Sequence, residues 1–125
     1  MTTLPKTMTA IEIKEFGGPE GLVPATRPVP EPGHDEVLIK VAAAGVNRPD
    51  VLQRKGGYAP PPGASDIPGL EVSGTVAAAG AGVTKYKVGD QLCALVAGGG
   101  YAEYCVAPEA QCLDIPKGFD LVHAA

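Results

Sequence analysis

The residue types that most often act as nucleophiles or metal ligands are few in this 125-residue chain, which has three cysteines and two histidines. Cys93, Cys105 and Cys112 form no CxxC pair and have no histidine close to them, whereas a zinc site needs such groups at ligand spacing. Neither Ser65 nor Ser73 lies in a GxSxG turn. The sequence therefore predicts no metal site and no Ser-His or Cys-His catalytic pair.

Two glycine clusters resemble the start of a phosphate-binding loop. Gly80 and Gly82, and again Gly98 and Gly100, begin a GxG, but Lys85 and Glu103 occupy the positions where GxGxxG needs its third glycine. Neither cluster lies between a parallel strand and a helix, as a dinucleotide site requires. We interpret these glycines as turn residues, and we expect the Rossmann domain to be absent from this chain.

Two polar side chains remain as candidates. Asn47 is the only asparagine and precedes the helical segment 48–55, so it can cap that helix. Its amide can also donate to a developing negative charge without titrating. Tyr58 follows Gly56 and Gly57 at the start of a proline-rich loop, where a tyrosine is ordinarily a half-buried anchor. Both interpretations of Asn47 stay open at this point.

The elements that must position these residues are mostly strands. The 17 glycines and 13 prolines leave few uninterrupted helical runs and argue against a helical bundle. Alternating apolar residues and turn signals predict seven short strands, at 8–14, 22–26, 36–47, 70–80, 91–97, 101–107 and 113–116. Helices are predicted from Asn47 to Gly56 and from Asp120 onward. This pattern is typical of a small β-barrel or sandwich.

Charge and hydropathy exclude several partners. The formal net charge of −4 has the wrong sign for a generic nucleic-acid binder. There is no run of 18 apolar residues, so we expect no contact with a membrane, and no secretory signal. Unpaired cysteines then favour a cytoplasmic protein with reduced thiols.

Several segments occur together in the order of a known family. The segments 45–50, 56–74, 88–95 and 99–108, after an opening FGGPEGL, closely resemble the N-terminal domain of medium-chain dehydrogenases/reductases, in the zinc-free quinone oxidoreductase branch. The resemblance implies a mainly β fold, a GroES-like, partly open β-barrel with one or two short helices. It also implies that 1–125 is a single substrate-side domain, cut near residue 120 at the linker helix, with a Rossmann domain following it.

Two departures separate the chain from the zinc alcohol dehydrogenases of that superfamily. Asn47 stands where those enzymes have a cysteine ligand, and Leu70 stands where they have a histidine. Neither side chain is a normal zinc ligand. We therefore expect no zinc and a zinc-independent reaction. Glu71, which follows Leu70, is expected to be a structural carboxylate hydrogen-bonded near Arg48 or Arg54 rather than a catalytic base.

The resemblance implies NADPH-dependent transfer of a hydride or electrons to a quinone or related conjugated carbonyl. It gives Asn47 a catalytic and cofactor-binding role, and it directs Tyr58 toward the nicotinamide ribose and its phosphate. Pro61, Gly99 and Tyr101 are weaker candidates for the substrate cleft. The full-length protein would be a homodimer, whereas the isolated chain would be nearly inactive. Two alternatives are an enoyl or alkenal reductase of the same superfamily and a non-enzymatic GroES-like binding module.

Overall fold

The computed structural model describes residues 4–125 and contains seven strands and two short α-helices. The strands are β1 (Thr7–Ile13), β2 (Leu22–Pro28), β3 (Glu36–Ala44), β4 (Glu71–Ala79), β5 (Gln91–Leu95), β6 (Tyr104–Pro108) and β7 (Cys112–Asp114). The helices are α1 (Arg48–Lys55) and α2 (Leu121–Ala124). The predicted strands and helices are confirmed, with ends that differ from the prediction by at most three residues.

Five antiparallel strands form the main sheet, in the order β6-β3-β4-β5-β7. The two edge strands are consecutive in the chain and are joined by one 3₁₀ turn, Glu109–Gln111. A flat five-stranded sheet would hold its edges about 19 Å apart, whereas such a turn rises only about 6 Å. The sheet must therefore curl until its edges approach each other, which gives the predicted partly open barrel.

Alternate residues of the curled sheet face its interior, because side chains along a strand alternate between the two faces. The buried residues that form the main core are Val37, Ile39, Val72, Val76, Tyr86, Leu92, Ala94, Val96, Cys105, Ala107 and Cys112. A second, smaller core of Met8, Ala10 and Ile67 lies beneath the β1–β2 hairpin. No helix of the described residues is long and apolar enough to cross a membrane.

The segment before β6 explains why the strand predicted at 101–107 begins only at Tyr104. Residues 101–103 instead join the hairpin to the barrel. Ile11 donates its backbone N–H to the Tyr101 carbonyl at 2.8 Å, and Glu103 donates its N–H to the Thr9 carbonyl at 3.1 Å. The chain crosses between two sheets here, and this crossing fixes the position of Tyr101.

Candidate functional site

Asn47 lies where the chain leaves β3 and enters α1. Its backbone is extended, with φ −128° and ψ 162°, as expected for the residue that caps a helix. The helix ends at Gly56, whose φ of +88° favours glycine. The half-buried side chain of Asn47 turns toward β4, and its Nδ2 donates to Glu71 Oε1 at 3.1 Å. One N–H of the amide is thereby oriented by a carboxylate.

Asp50 connects the first turn of α1 to a distant loop. Its Oδ2 accepts the Asn47 backbone N–H at 3.0 Å and the Tyr101 hydroxyl at 2.6 Å. Asp50 is only 6% exposed, and its Oδ1 is buried without a hydrogen-bond partner among the described residues. Burial, then the hydrogen bond to Asp50 and its charge, raises the pKa of Tyr101. The hydroxyl therefore remains a protonated donor throughout the neutral range.

We call Asn47, Asp50, Glu71 and Tyr101 the Asn47 network. Asn47 and Tyr101 were predicted separately from the sequence, with no connection between them. The Asn47 and Asp50 pair follows the spacing of a capping box, in which the third helical residue returns to the cap. No local signal identifies Tyr101, because 51 residues separate it from Asp50.

The predicted hydrogen-bond partner of Glu71 was wrong. We predicted a structural carboxylate close to Arg48 or Arg54, and the carboxylate is instead bound by the amide of Asn47. Arg54 donates its Nε to the Gly17 carbonyl at 3.0 Å, which ties the end of α1 to the turn after β1. Gly45 makes room for the carboxylate, because a Cβ there would lie 2.0 Å from Glu71 Oε1.

A cavity of about 620 Å³ is lined by none of the four residues of the Asn47 network. Its walls come from the hairpin, the proline-rich loop, the turn after β5 and the strand β6. Its lining is mostly apolar and includes Met8, Val29, Pro30, Pro61, Pro62, Ile67, Val96, Gly99 and Val106. We call it the proline-lined cavity. Pro61 and Gly99, two of the predicted cleft residues, both belong to it.

The arginine in the cavity wall is already paired. Arg27 donates two hydrogen bonds to the Asp66 carboxylate, at 2.8 and 3.1 Å, and its Nε donates to Glu12. These bonds, the one to Asp66 first, raise the pKa of Arg27, and the bond from Arg27 lowers the pKa of Asp66. Glu31 and Glu36 also line the cavity. Such walls favour a neutral ligand over an anionic one.

The five predicted site residues fall into three places. Asn47 and Tyr101 belong to the Asn47 network, and Tyr101 also lines a shallower cavity of about 320 Å³. Pro61 and Gly99 line the proline-lined cavity. Tyr58 is half-buried three residues beyond the end of α1 and lines neither cavity. Within residues 4–125, no three histidine, cysteine or acidic side chains are grouped as metal ligands would be.

The chain matches the family described as the alcohol dehydrogenase GroES-like domain over residues 33–117, which is more than half of its length. It is 39% identical over 127 aligned residues to the quinone oxidoreductase of Lama guanicoe. That alignment covers 100% of this chain and 38% of the guanaco protein. The chain thus spans less than two-fifths of the length of this relative.

Solved structures give the same result. The quinone oxidoreductase of Coxiella burnetii is 28% identical and superposes with a TM-score of 0.87, covering 96% of this chain and 40% of that one. The mycobacterial protein Rv1454c complexed with NADPH is 42% identical, with a TM-score of 0.80 over 91% of this chain and 35% of that one. Both superpositions confirm the predicted fold.

Proposed function

The chain belongs to the alcohol dehydrogenase GroES-like domain family of the medium-chain dehydrogenase/reductase superfamily, and we propose that it is the substrate-side domain of an NADPH-dependent quinone oxidoreductase. The observation that carries this proposal is the Asn47 side-chain amide, which donates to Glu71 while the Asp50 carboxylate accepts the Asn47 backbone N–H at the N-terminus of α1. A fixed neutral donor is what a carbonyl acceptor needs when negative charge develops on its oxygen. Its similarity to quinone oxidoreductases along the whole chain supports the same conclusion.

NADPH is the cofactor in this proposal, and the NADPH complex of the similar mycobacterial protein supports it. Asn47 and Tyr58 are both half-buried and carry polar side chains, which would meet the nicotinamide end of the cofactor. The residues present fit that end. Neither glycine cluster forms a phosphate-binding loop, so the adenosine end would be held by a Rossmann domain outside this chain. When bound, the dihydronicotinamide supplies the hydride.

The residues of this chain would bind, orient and desolvate the two partners. Glu71 engages one N–H of the Asn47 amide, and the second N–H would donate to the acceptor oxygen. Pro61, Gly99 and the ring of Tyr101 would form walls of the substrate cleft, where stiff apolar surfaces exclude water. The paired Arg27 and the acidic Glu31 and Glu36 favour a neutral quinone over a substrate that carries phosphates.

The reaction would not depend on zinc. Asn47 and the half-buried Leu70 are unsuitable as ligands, since zinc prefers thiolate, imidazole and carboxylate groups. Proton supply would come from water. In the full-length protein we expect a Rossmann domain after residues 1–125, a homodimer and a cytoplasmic location, and we expect the 125 residues alone to be nearly inactive.

The test is NADPH oxidation by the full-length protein with a series of quinones and a matched series of alkenals and enoyl esters. We expect turnover with quinones that survives dialysis against a chelator. Turnover of alkenals without any turnover of quinones would replace this proposal with an enoyl or alkenal reductase. Loss of activity on chelation would overturn zinc independence. No turnover with either series, together with tight binding of a protein, would favour the GroES-like binding module.

A further inference from the structure

We infer that Tyr101 and Asp50 form a positioning pair that sets Asn47 in place, so that the proposed amide donor depends on a hydroxyl 54 residues further along the chain. This inference rests on the proposed role of Asn47. The Tyr101 hydroxyl would contact neither of the reacting atoms. It would act through Asp50, whose carboxylate stands between the Tyr101 hydroxyl and the Asn47 backbone.

A single carboxylate oxygen receives both donors. Asp50 Oδ2 accepts the hydroxyl of Tyr101 at 2.6 Å and the N–H of Asn47 at 3.0 Å, while Oδ1 is buried with no partner among residues 4–125. A carboxylate that has hydrogen-bond partners on only one oxygen can rotate about its Cβ–Cγ bond unless those hydrogen bonds hold it. The short bond from Tyr101 is therefore the restraint that keeps Oδ2 directed at Asn47.

The backbone around Tyr101 is built to hold the phenol in this position. Tyr101 donates its N–H to the Pro68 carbonyl at 2.9 Å, and Gly100 donates its N–H to the Gly69 carbonyl at 3.1 Å. A Cβ on Gly69, where φ is +105°, would lie 2.7 Å from the Tyr101 nitrogen and from its ring. Two backbone segments can approach this closely only because both positions lack a side chain.

The pair also connects two parts of the fold. Tyr101 belongs to the crossing between the hairpin and the barrel, since its carbonyl accepts the N–H of Ile11 at 2.8 Å. Asp50 is in the first turn of α1, and Glu71 begins β4. Glu71 thus holds the Asn47 side chain to β4, and Asp50 holds the Asn47 backbone to the crossing. Two independent anchors define the orientation of one amide.

The alternative is that the hydrogen bond between Tyr101 and Asp50 only stabilises the fold. The structure supplies a matched control for this alternative. The hydroxyl of the buried Tyr86 donates to Asp114 Oδ1 at 3.1 Å, so Tyr86→Phe removes the same kind of bond outside the Asn47 network. Since Asn47 is the only asparagine, labelling the 125-residue chain with ¹⁵N-asparagine gives the NMR signals of this residue alone.

We expect Tyr101→Phe to shift both the backbone and the side-chain amide signals of Asn47, and to accelerate exchange of its backbone N–H with solvent about tenfold. Tyr86→Phe should leave those signals in place and change exchange less than twofold. Asp50→Asn retains an acceptor oxygen for both donors, so it should preserve more of the wild-type signals than Asp50→Ala. Unchanged Asn47 signals in Tyr101→Phe, or equal changes in Tyr86→Phe, would overturn the inference.

Kinetics of the full-length protein separate this inference from the proposed function. We expect Tyr101→Phe to lower kcat about tenfold with little change in KM, and to have no further effect in an Asn47→Ala background. If the two substitutions lower kcat multiplicatively in the double variant, the result would contradict the inference that Tyr101 acts through Asn47. If Asn47→Ala alone leaves turnover unchanged, the proposed role of Asn47 fails, whereas the NMR comparison still decides whether Tyr101 positions it.

Discussion

The Asn47 network and the proline-lined cavity are built in opposite ways. In the network, four polar residues are joined by hydrogen bonds of 2.6 to 3.1 Å, and Asp50 at its centre is 6% exposed. The cavity offers about 620 Å³ of mostly apolar space, and the arginine in its wall is already paired with Glu12 and Asp66. The network fixes the direction of one donor, whereas the cavity provides room for a neutral ligand.

This difference indicates how the domain would divide its work. Directional groups must be held within a fraction of an ångström to act on a reacting atom, and they need partners that are themselves fixed. Space for a planar, neutral molecule needs only stiff walls, which prolines provide. We therefore expect substitutions in the network to change the rate of the reaction, and substitutions in the cavity to change affinity.

The largest expected difference is between Asn47→Ala and Pro61→Ala in the full-length protein. Loss of a donor to a developing oxyanion typically lowers turnover about 100- to 1,000-fold, so we expect an effect of that order for Asn47→Ala. Pro61→Ala should raise KM for the quinone about threefold and leave kcat nearly unchanged, because it removes only part of a wall. Steady-state kinetics with both variants would show this. Equal effects on kcat would remove the distinction between the two regions.

The next difference concerns stability and compares two glycines of the same loop. Gly69 has φ +105° and would place a Cβ 2.7 Å from the Tyr101 nitrogen, whereas Gly63 has φ +83° and open space around it. Both Gly→Ala variants carry backbone strain, and only Gly69→Ala adds a collision. We expect Gly69→Ala to lower the free energy of unfolding by about 2 kcal/mol more than Gly63→Ala. Urea denaturation measures both, and similar losses would mean that Tyr101 is held loosely.

The pH dependence of the free energy of unfolding tests the burial of a thiol in the wall of the proline-lined cavity. Burial, with a smaller contribution from Cys112, raises the pKa of Cys105 from 9.0 to about 12. The unfolded chain releases this proton from about pH 9, while the folded chain retains it, so its stabilisation is complete below pH 9 and is lost as pH rises toward 12. The free energy of unfolding should fall by up to about 1.4 kcal/mol per pH unit in that window from this thiol. Cys105→Ala should flatten the slope, and an unchanged slope would contradict the burial of this thiol.

The smallest effect is expected at Tyr58, which lies outside both regions. Removal of one hydrogen bond to the cofactor should weaken NADPH binding about fivefold in Tyr58→Phe, with kcat nearly unchanged. Isothermal titration of the full-length protein with NADPH checks the affinity, and Tyr86→Phe is the matched control. Unaltered binding would leave Tyr58 as a half-buried anchor of the loop.

The sequence pattern was sufficient for the strands and the limits of α1, because alternating apolar residues and turn residues act over a few positions. The GroES-like fold was expected from the resemblance to a known family. Asn47 was identified by its place before a helix. The bond between Tyr101 and Asp50 was not predictable, since it depends on where the chain crosses from the barrel to the hairpin. The partner of Glu71 was missed for the same reason, because β3 and β4 must first pair before the carboxylate meets Asn47.

The central claim is that the two reactants meet at Asn47, and a crystal structure of the full-length protein with NADPH and a quinone tests it most directly. We predict that the nicotinamide or the quinone oxygen lies within hydrogen-bond distance of the Asn47 amide, with Tyr101 still bound to Asp50. A nicotinamide seated in the proline-lined cavity, with both reactants beyond the reach of Asn47, would contradict the claim.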